Sequence, residues 1–206
     1  MDLKAKRAWD LEYRRRGILW RGKNFNLNDI LMFLNKDDFI LDLGCGNGKT
    51  LTPIYEEGYN IIGLDVSIYA LKLIRTNTEL VQGDILSPPF KDETFDKIIM
   101  VHILDHFLKN EREKIINLAY NLLKHDGILF LEIFDINDFR ASKGKLIEEY
   151  TYLRGNKIFT HYFEDLEILN LLKNFEIIDK KTYEKDRFIN KKIYKKNSLL
   201  YIAKKY

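Results

Sequence analysis

The run Phe39-Ile40-Leu41-Asp42-Leu43-Gly44-Cys45-Gly46-Asn47-Gly48 decides the fold. Its first five residues are apolar apart from Asp42 and end abruptly in glycine, the pattern of a buried strand closed by a turn. Glycines at alternate positions let the chain take φ > 0 and let a ligand approach the backbone without meeting a Cβ. Lys49 to Glu57 reads as a helix stopped by Gly58, with Pro53 tolerable near its first turn. Strand, glycine loop and helix in that order open a βαβ unit.

Outward from this run the alternation continues. Tyr59–Asp65 is a second strand, and Ser67 caps a helix with Ile68, Leu71 and Ile74 along one face. Glu79–Gln82 is a weak third strand and Phe95–Val101 a stronger fourth. Glu111–Leu123 carries Ile115, Leu118, Ala119 and Leu122 at helical spacing, and Gly127 introduces a fifth strand, Ile128–Phe134. Residues 135–160 read as polar and irregular. A helix near Phe163–Leu172 follows, then strands near Phe175–Tyr183 and Ser198–Lys204. Strands separated by helices predict a mainly parallel sheet with helices on both faces, whose ligands bind beyond the carboxyl ends of the strands.

Composition sets the outer bounds. The chain has 206 residues, 46% of them hydrophobic, which fits one domain. Within it we expect N-terminal lid helices in 1–36, a cofactor-binding core in 37–134 and an acceptor-side segment with the last strands in 135–206. No apolar run reaches the roughly 18–20 residues of a membrane span, and the N-terminus lacks a secretory signal's apolar core. The single cysteine excludes an internal disulfide framework, and the histidines are not at metal-ligand spacing. A soluble cytoplasmic protein without a metal is expected; monomer and homodimer stay equally open. The net charge of +3 hides an asymmetry: residues 1–25 hold eight Lys/Arg against three Asp/Glu, and residues 179–206 hold ten against three, leaving the middle at −9. Basic ends on an acidic body suit either a solvated surface or a polyanion such as RNA.

The glycine loop has three possible readings. Gly48-Lys49-Thr50 matches the end of a phosphate loop, but that pattern needs glycine at position 43, where Leu43 stands. The dinucleotide pattern G-x-G-x-x-G begins at Gly44 and Gly46 but needs its third glycine at Lys49, one residue after Gly48. The third reading is hydrophobic-Asp-hydrophobic-Gly-x-Gly-x-Gly, which fits every defined position of Leu41–Gly48. An aspartate here would repel a pyrophosphate and attract a cation.

That third pattern resembles the cofactor loop of the Rossmann-like (class I) S-adenosylmethionine-dependent methyltransferases, and the resemblance covers residues 39–134 in order. Gly63-Leu64-Asp65-Val66-Ser67 is similar to the family's second motif, and Val81-Gln82-Gly83-Asp84-Ile85-Leu86 to its third. Phe90–Ile99 resembles the approach to strand four, and Leu122–Leu129 the passage into strand five, with His125-Asp126 in place of the usual Pro-Gly. The resemblance implies a seven-stranded Rossmann-like sheet and S-adenosylmethionine as cofactor, with S-adenosylhomocysteine as its product. Asp42 would face the methionyl ammonium, Asp65 the ribose and Asp84 the adenine. Ile85 would pack on the adenine, and Gly44, Cys45, Gly46, Val66 and His102 would complete the site.

The acceptor side is less determined. After strand four, Asp105-His106 occupies the place where relatives carry a His-His pair, so His106 is a candidate general base with Asp105 beside it. The run Trp9–Arg21 is similar to a leading segment that folds over the cofactor as a lid. Tyr13 would close on the methionyl end, and the arginines Arg14, Arg15 and Arg16 would bind an anionic acceptor, Arg14 foremost. By position, Arg140, His161 and Tyr162 are candidates for the acceptor pocket. A small metabolite is slightly favoured as acceptor over RNA. An NAD-dependent oxidoreductase and a non-catalytic cofactor-binding protein remain as alternatives.

Overall fold

In the computed structural model, the residues described are 3–19 and 27–206. Helices α1 (Leu3–Arg16) and α2 (Leu27–Leu31) precede β1 (Phe39–Leu43), α3 (Leu51–Glu56), β2 (Asn60–Asp65), α4 (Ile68–Leu71), β3 (Leu80–Gln82) and β4 (Phe95–Val101). A 3-10 turn, Leu104–His106, leads to α5 (Lys109–Leu122) and β5 (Leu123–Phe134). Then come β6 (Lys145–Glu148), β7 (Thr151–Leu153), β8 (Phe159–His161), α6 (Asp165–Leu171), β9 (Phe175–Ile189) and β10 (Lys192–Lys205).

Seven strands form one sheet in the order β3-β2-β1-β4-β5-β10-β9. The first five are parallel, whereas β10 runs antiparallel to both β5 and β9. The order reverses between β1 and β4, the switch point where a doubly wound sheet opens a crevice. Two apolar layers hold the sheet: Ile98, Met100, Ile115, Ala119, Leu129 and Leu131 pack on one face, and Ile30, Ile54, Ile99, Phe130 and Leu200 on the other. The central strands are buried on both sides, which is why their sequences read as continuous apolar runs. Among the described residues no helix is long and apolar enough to cross a membrane.

Some boundaries differ from expectation. Helix α4 is a single turn, although Ser67 caps it as expected, its hydroxyl accepting from the Ala70 N–H at 3.3 Å. The segment 135–160 is only partly irregular: β6, β7 and β8 form a separate antiparallel sheet. These strands have three or four residues each, too short for their alternation to stand out in a polar stretch. The last two strands are longer than expected, extending from the sheet as a hairpin whose turn residues Asn190 and Lys191 both take left-handed φ, 49° and 62°.

Candidate cofactor and acceptor sites

A cleft enclosing about 890 Å³, its open mouth included, lies beyond the carboxyl ends of β1, β2 and β4. The glycine loop is its floor. Gly44 N and Cys45 N both donate to the Leu64 carbonyl, at 2.7 and 3.0 Å, which ties the loop to β2. Gly44 has φ +86°, and a Cβ there would stand 2.5 Å from Ile103 Cδ1, so only glycine fits. Cys45 is buried between its glycines as a small apolar wall, and burial pushes its thiol well up, away from reactivity.

Two aspartates face this floor. Asp65 accepts from Gly46 N and Ser67 N, each at 2.8 Å, and burial holds its carboxyl up at about 6 in spite of those donors. Asp42 is buried, and among the described residues its Oδ2 has no hydrogen-bond partner. Burial, and then the charge of Asp65, push it to about 7. A buried carboxylate with an unsatisfied oxygen is costly unless a cation meets it, which is what an ammonium would provide. Val66, Gly83 and Ile85 line the far end of the cleft. Asp84 is not in that lining: its Oδ1 accepts from Leu86 N at 2.9 Å and holds the turn that presents its two neighbours.

The near end is cationic. Lys49, the residue after the loop, and Lys196, from β10, both line the cleft near Glu132. Burial lowers Lys196 to about 8. His102 also lines the cleft, with φ 54° and its ring stacked on Phe134 at a centroid distance of 4.0 Å.

Asp105 was expected to assist His106, but it turns the other way. It is fully buried, accepts from Phe134 N at 2.7 Å, and stands 3.4 Å from His102 Nδ1. Burial pushes its carboxyl well above the usual range, and its Oδ2 faces His102 in place of His106. His106 instead places Nδ1 2.7 Å from the Phe159 carbonyl. A carbonyl only accepts, so Nδ1 carries the proton; burial lowers the ring to about 4, and the neutral ring keeps its lone pair on Nε2.

Helix α1 straps across the mouth. Ser67 Oγ donates to Asp10 Oδ1 at 2.6 Å, and Arg14 lies 5.9 Å from the Tyr69 ring, anchoring one side of the helix to α4. Arg14 is therefore turned to α4, outside the lining of the cleft and of the chamber beside it. The other side carries Trp9, Glu12, Tyr13 and Arg16, spaced at i, i+3, i+4 and i+7. Tyr13 lines the cleft and is buried, and Trp9 packs edge-on against His106 at 4.8 Å. Trp20 and Arg21, also in the expected lid segment, lie outside the described residues.

Trp9 and His106 also wall a second chamber of about 1260 Å³, again counting its mouth. Phe134, Tyr162 and Ile158 supply its apolar surface, and Arg16, Arg140 and Arg154 its charge. Asp138 holds Arg140 through Nε and Nη2, at 2.7 and 2.8 Å, and Glu12 takes Arg16 at 2.8 Å. Arg154 donates to the Arg140 carbonyl and the Tyr162 hydroxyl; among the described residues it has no carboxylate partner. Arg140, Tyr162 and Arg16 line this chamber, and Arg14 does not. Nor does His161: it is buried on the far side of β8, with Nδ1 2.7 Å from Thr151 Oγ1 and Nε2 2.9 Å from Glu167 Oε2. Strand alternation sends adjacent residues to opposite faces, so the chamber receives Tyr162 and loses His161.

Residues 41–131 match the methyltransferase domain family. This match covers the glycine loop, both cleft aspartates and the turn that carries His106. Residues 41–131 thus carry the core of a class I S-adenosylmethionine-dependent methyltransferase domain. A solved S-adenosylmethionine-dependent methyltransferase from Methanosarcina mazei superposes with a TM-score of 0.70, at 26% identity over 86% of this chain and 96% of that one. A Burkholderia thailandensis N1-methyltransferase, solved with 1,6-didemethyltoxoflavin and S-adenosylhomocysteine bound, shares the fold at 17% identity, with a TM-score of 0.73 over 97% of this chain and 86% of that one. The tRNA N(3)-methylcytidine methyltransferase of Schizosaccharomyces pombe is 26% identical over 84% of this chain and 65% of its own length. The chain spans 37% to 65% of the length of such curated relatives.

Sequence reading missed Lys49, Lys196, Arg154 and Glu132. Arg16, named among the arginines of the leading segment, shares a helical stripe with Trp9 and Tyr13. Lys196 and Arg154 come from distant hairpins and left no local trace.

Proposed function

We propose that this methyltransferase acts on a compact planar acceptor carrying negative charge, seated in the arginine chamber with its reacting atom beside His106. The supporting observation is the shared wall: Trp9 and His106 border the cofactor cleft and the chamber alike, so groups held in each meet there. The bound cofactor supplies an electrophilic methyl group on a sulfonium. Asp42 would hold its ammonium, Asp65 its ribose, and Lys49 with Lys196 its carboxylate, while Gly83 and Ile85 would receive the adenine. His102, supported by Asp105 and stacked on Phe134, shapes the passage between the two spaces. Phe134, Tyr162 and Trp9 offer flat faces for the acceptor, and Arg154 offers a charge not already committed to a carboxylate. His106 Nε2, its tautomer fixed by the Phe159 carbonyl, takes a proton from an O–H or N–H nucleophile as the methyl arrives. Positioning and water exclusion under α1 supply the rest.

The test is labelled methyl transfer to aromatic acids, free nucleotides and total tRNA, with neutral amides of the same acids as controls. Acidic acceptors should be methylated, with Arg154→Gln raising KM at least tenfold and His106→Ala lowering kcat about 10²-fold or more. Equal turnover of neutral and acidic partners, or an unchanged KM in Arg154→Gln, would refute the reading.

A second reading makes the charged acceptor a nucleotide within RNA. It is favoured by the tRNA specificity named for the fission yeast relative and by the basic hairpin beside the cleft.

A further inference from the structure

The hairpin of β9 and β10 sorts its charges by face. Cross-strand partners lie on the same side of a sheet, and successive pairs alternate. The register pairs Lys195 with Asp186 and Asn197 with Glu184, which puts both hairpin carboxylates on one side. There Lys195 bonds to both, at 2.8 Å to Glu184 and 2.7 Å to Asp186, so that side is largely neutral. The other side pairs Lys185 with Lys196, Arg187 with Tyr194, and Ile189 with Lys192. Four cations and one aromatic ring thus share a face free of the hairpin's carboxylates. Three such rows span about 13 Å along the strands.

This face does not end in solvent at its root. Lys196 lines the cofactor cleft, and Lys185 and Arg187 stand near enough to Lys49, at the end of the glycine loop, to act on its charge. Positive potential therefore continues from the exposed hairpin, where Arg187, Lys192 and Tyr194 are solvent-accessible, into the cleft. A compact acceptor seated in the chamber would not reach this exposed stretch of charge. That stretch suits an extended polyanion whose one residue enters the chamber while its neighbours lie along the strand.

We propose that the Lys185–Arg187–Lys192 face of the hairpin is a docking rail for a single-stranded RNA segment, with Tyr194 as a stacking surface. Phosphates would meet the cations, and the ring would tolerate any base because every base presents a π-face. The more exposed apolar pair, Phe188 and Ile193, lies on the opposite, neutral side, and Ile189 is the one exposed aliphatic residue paired with the cations of the basic face. The inference deepens the second acceptor reading above, and its assay reads binding without turnover, so failure of one is visible apart from failure of the other.

Fluorescence anisotropy with a labelled 20-nucleotide oligouridine tests it. Three phosphate contacts predict a log–log salt slope of about −2.1, or roughly a twenty-fold loss of affinity between 50 and 200 mM salt. The triple variant Lys185→Gln, Arg187→Gln, Lys192→Gln should bind more weakly, with a slope near zero, while its affinity for S-adenosylhomocysteine stays within twofold of the parent. A control triple, Lys72→Gln, Lys91→Gln, Lys114→Gln, removes the same charge from exposed positions elsewhere and should leave the slope unchanged. Equal weakening by both triples would overturn the proposal by showing a net-charge effect. Loss of S-adenosylhomocysteine binding in the first triple would overturn it by assigning the face to the cofactor. Binding to phosphatidylserine vesicles in preference to the RNA would do the same by assigning it to a lipid surface.

Discussion

Cofactor binding should release a proton from Asp42. In the free protein burial and the neighbouring Asp65 push this carboxyl to about 7, and among the described residues its Oδ2 has no hydrogen-bond partner. An ammonium placed against it would return its pKa toward the ordinary value of about 3.9. Affinity then scales with the ionised fraction: about half of Asp42 is ionised at pH 7, and about one part in eleven at pH 6. S-adenosylhomocysteine, which keeps the ammonium, should bind about tenfold more weakly at pH 6 than at pH 8, with Asp65 at about 6 adding roughly a further factor of two. Calorimetry at pH 7 in two buffers of different ionisation enthalpy should register about half a proton released per site. Asp42→Asn should abolish the release and weaken binding at pH 8 by about 10- to 100-fold, the worth of a charge-assisted hydrogen bond. The same variant should be the more stable one without ligand. A carboxyl whose folded pKa is raised stabilises the fold only while protonated, and that stability is lost as pH rises from about 4 through about 7. At pH 8 the ligand-free Asn variant should therefore gain on the order of 1–3 kcal/mol in thermal or urea unfolding. An affinity flat between pH 6 and 8 with no proton released would refute the assignment of Asp42 to the ammonium.

Two further predictions concern residues around the sites. Gly44→Ala places a Cβ 2.5 Å from Ile103 Cδ1 at φ +86° and should cost about 1–3 kcal/mol of stability and at least tenfold in S-adenosylhomocysteine affinity. Adding Ile103→Ala should recover part of both losses; wild-type affinity in the single variant would contradict the packed floor. His161→Ala should lower stability by about 1–3 kcal/mol through the loss of its bonds to Thr151 and Glu167, with the acceptor KM unchanged. A raised KM at unchanged stability would instead put His161 in the chamber.

The sheet and the cofactor cleft were legible in the chain because their signals are local. Apolar runs such as Phe39–Leu43 must be buried on both faces, the glycines admit a backbone that no other residue takes without strain, and Asp42 and Asp65 close their strands in the positions the loop needs. Tertiary structure decided the acceptor side, where neighbours in sequence part company. Arg14 and Arg16 are two residues apart on α1, about 200° around the helix, so one anchors on Tyr69 and the other enters the chamber. His161 and Tyr162 divide across a strand in the same way. Asp105 and His106 are adjacent in a 3-10 turn, yet one supports His102 and the other bonds to the Phe159 carbonyl on a different sheet. Lys196 and Arg154 reach their sites only because hairpins remote in sequence fold back to them. Which carboxyl is neutral, which imidazole nitrogen holds the proton and which arginine keeps an uncommitted charge all follow from burial and partners, and these exist only once the chain is packed.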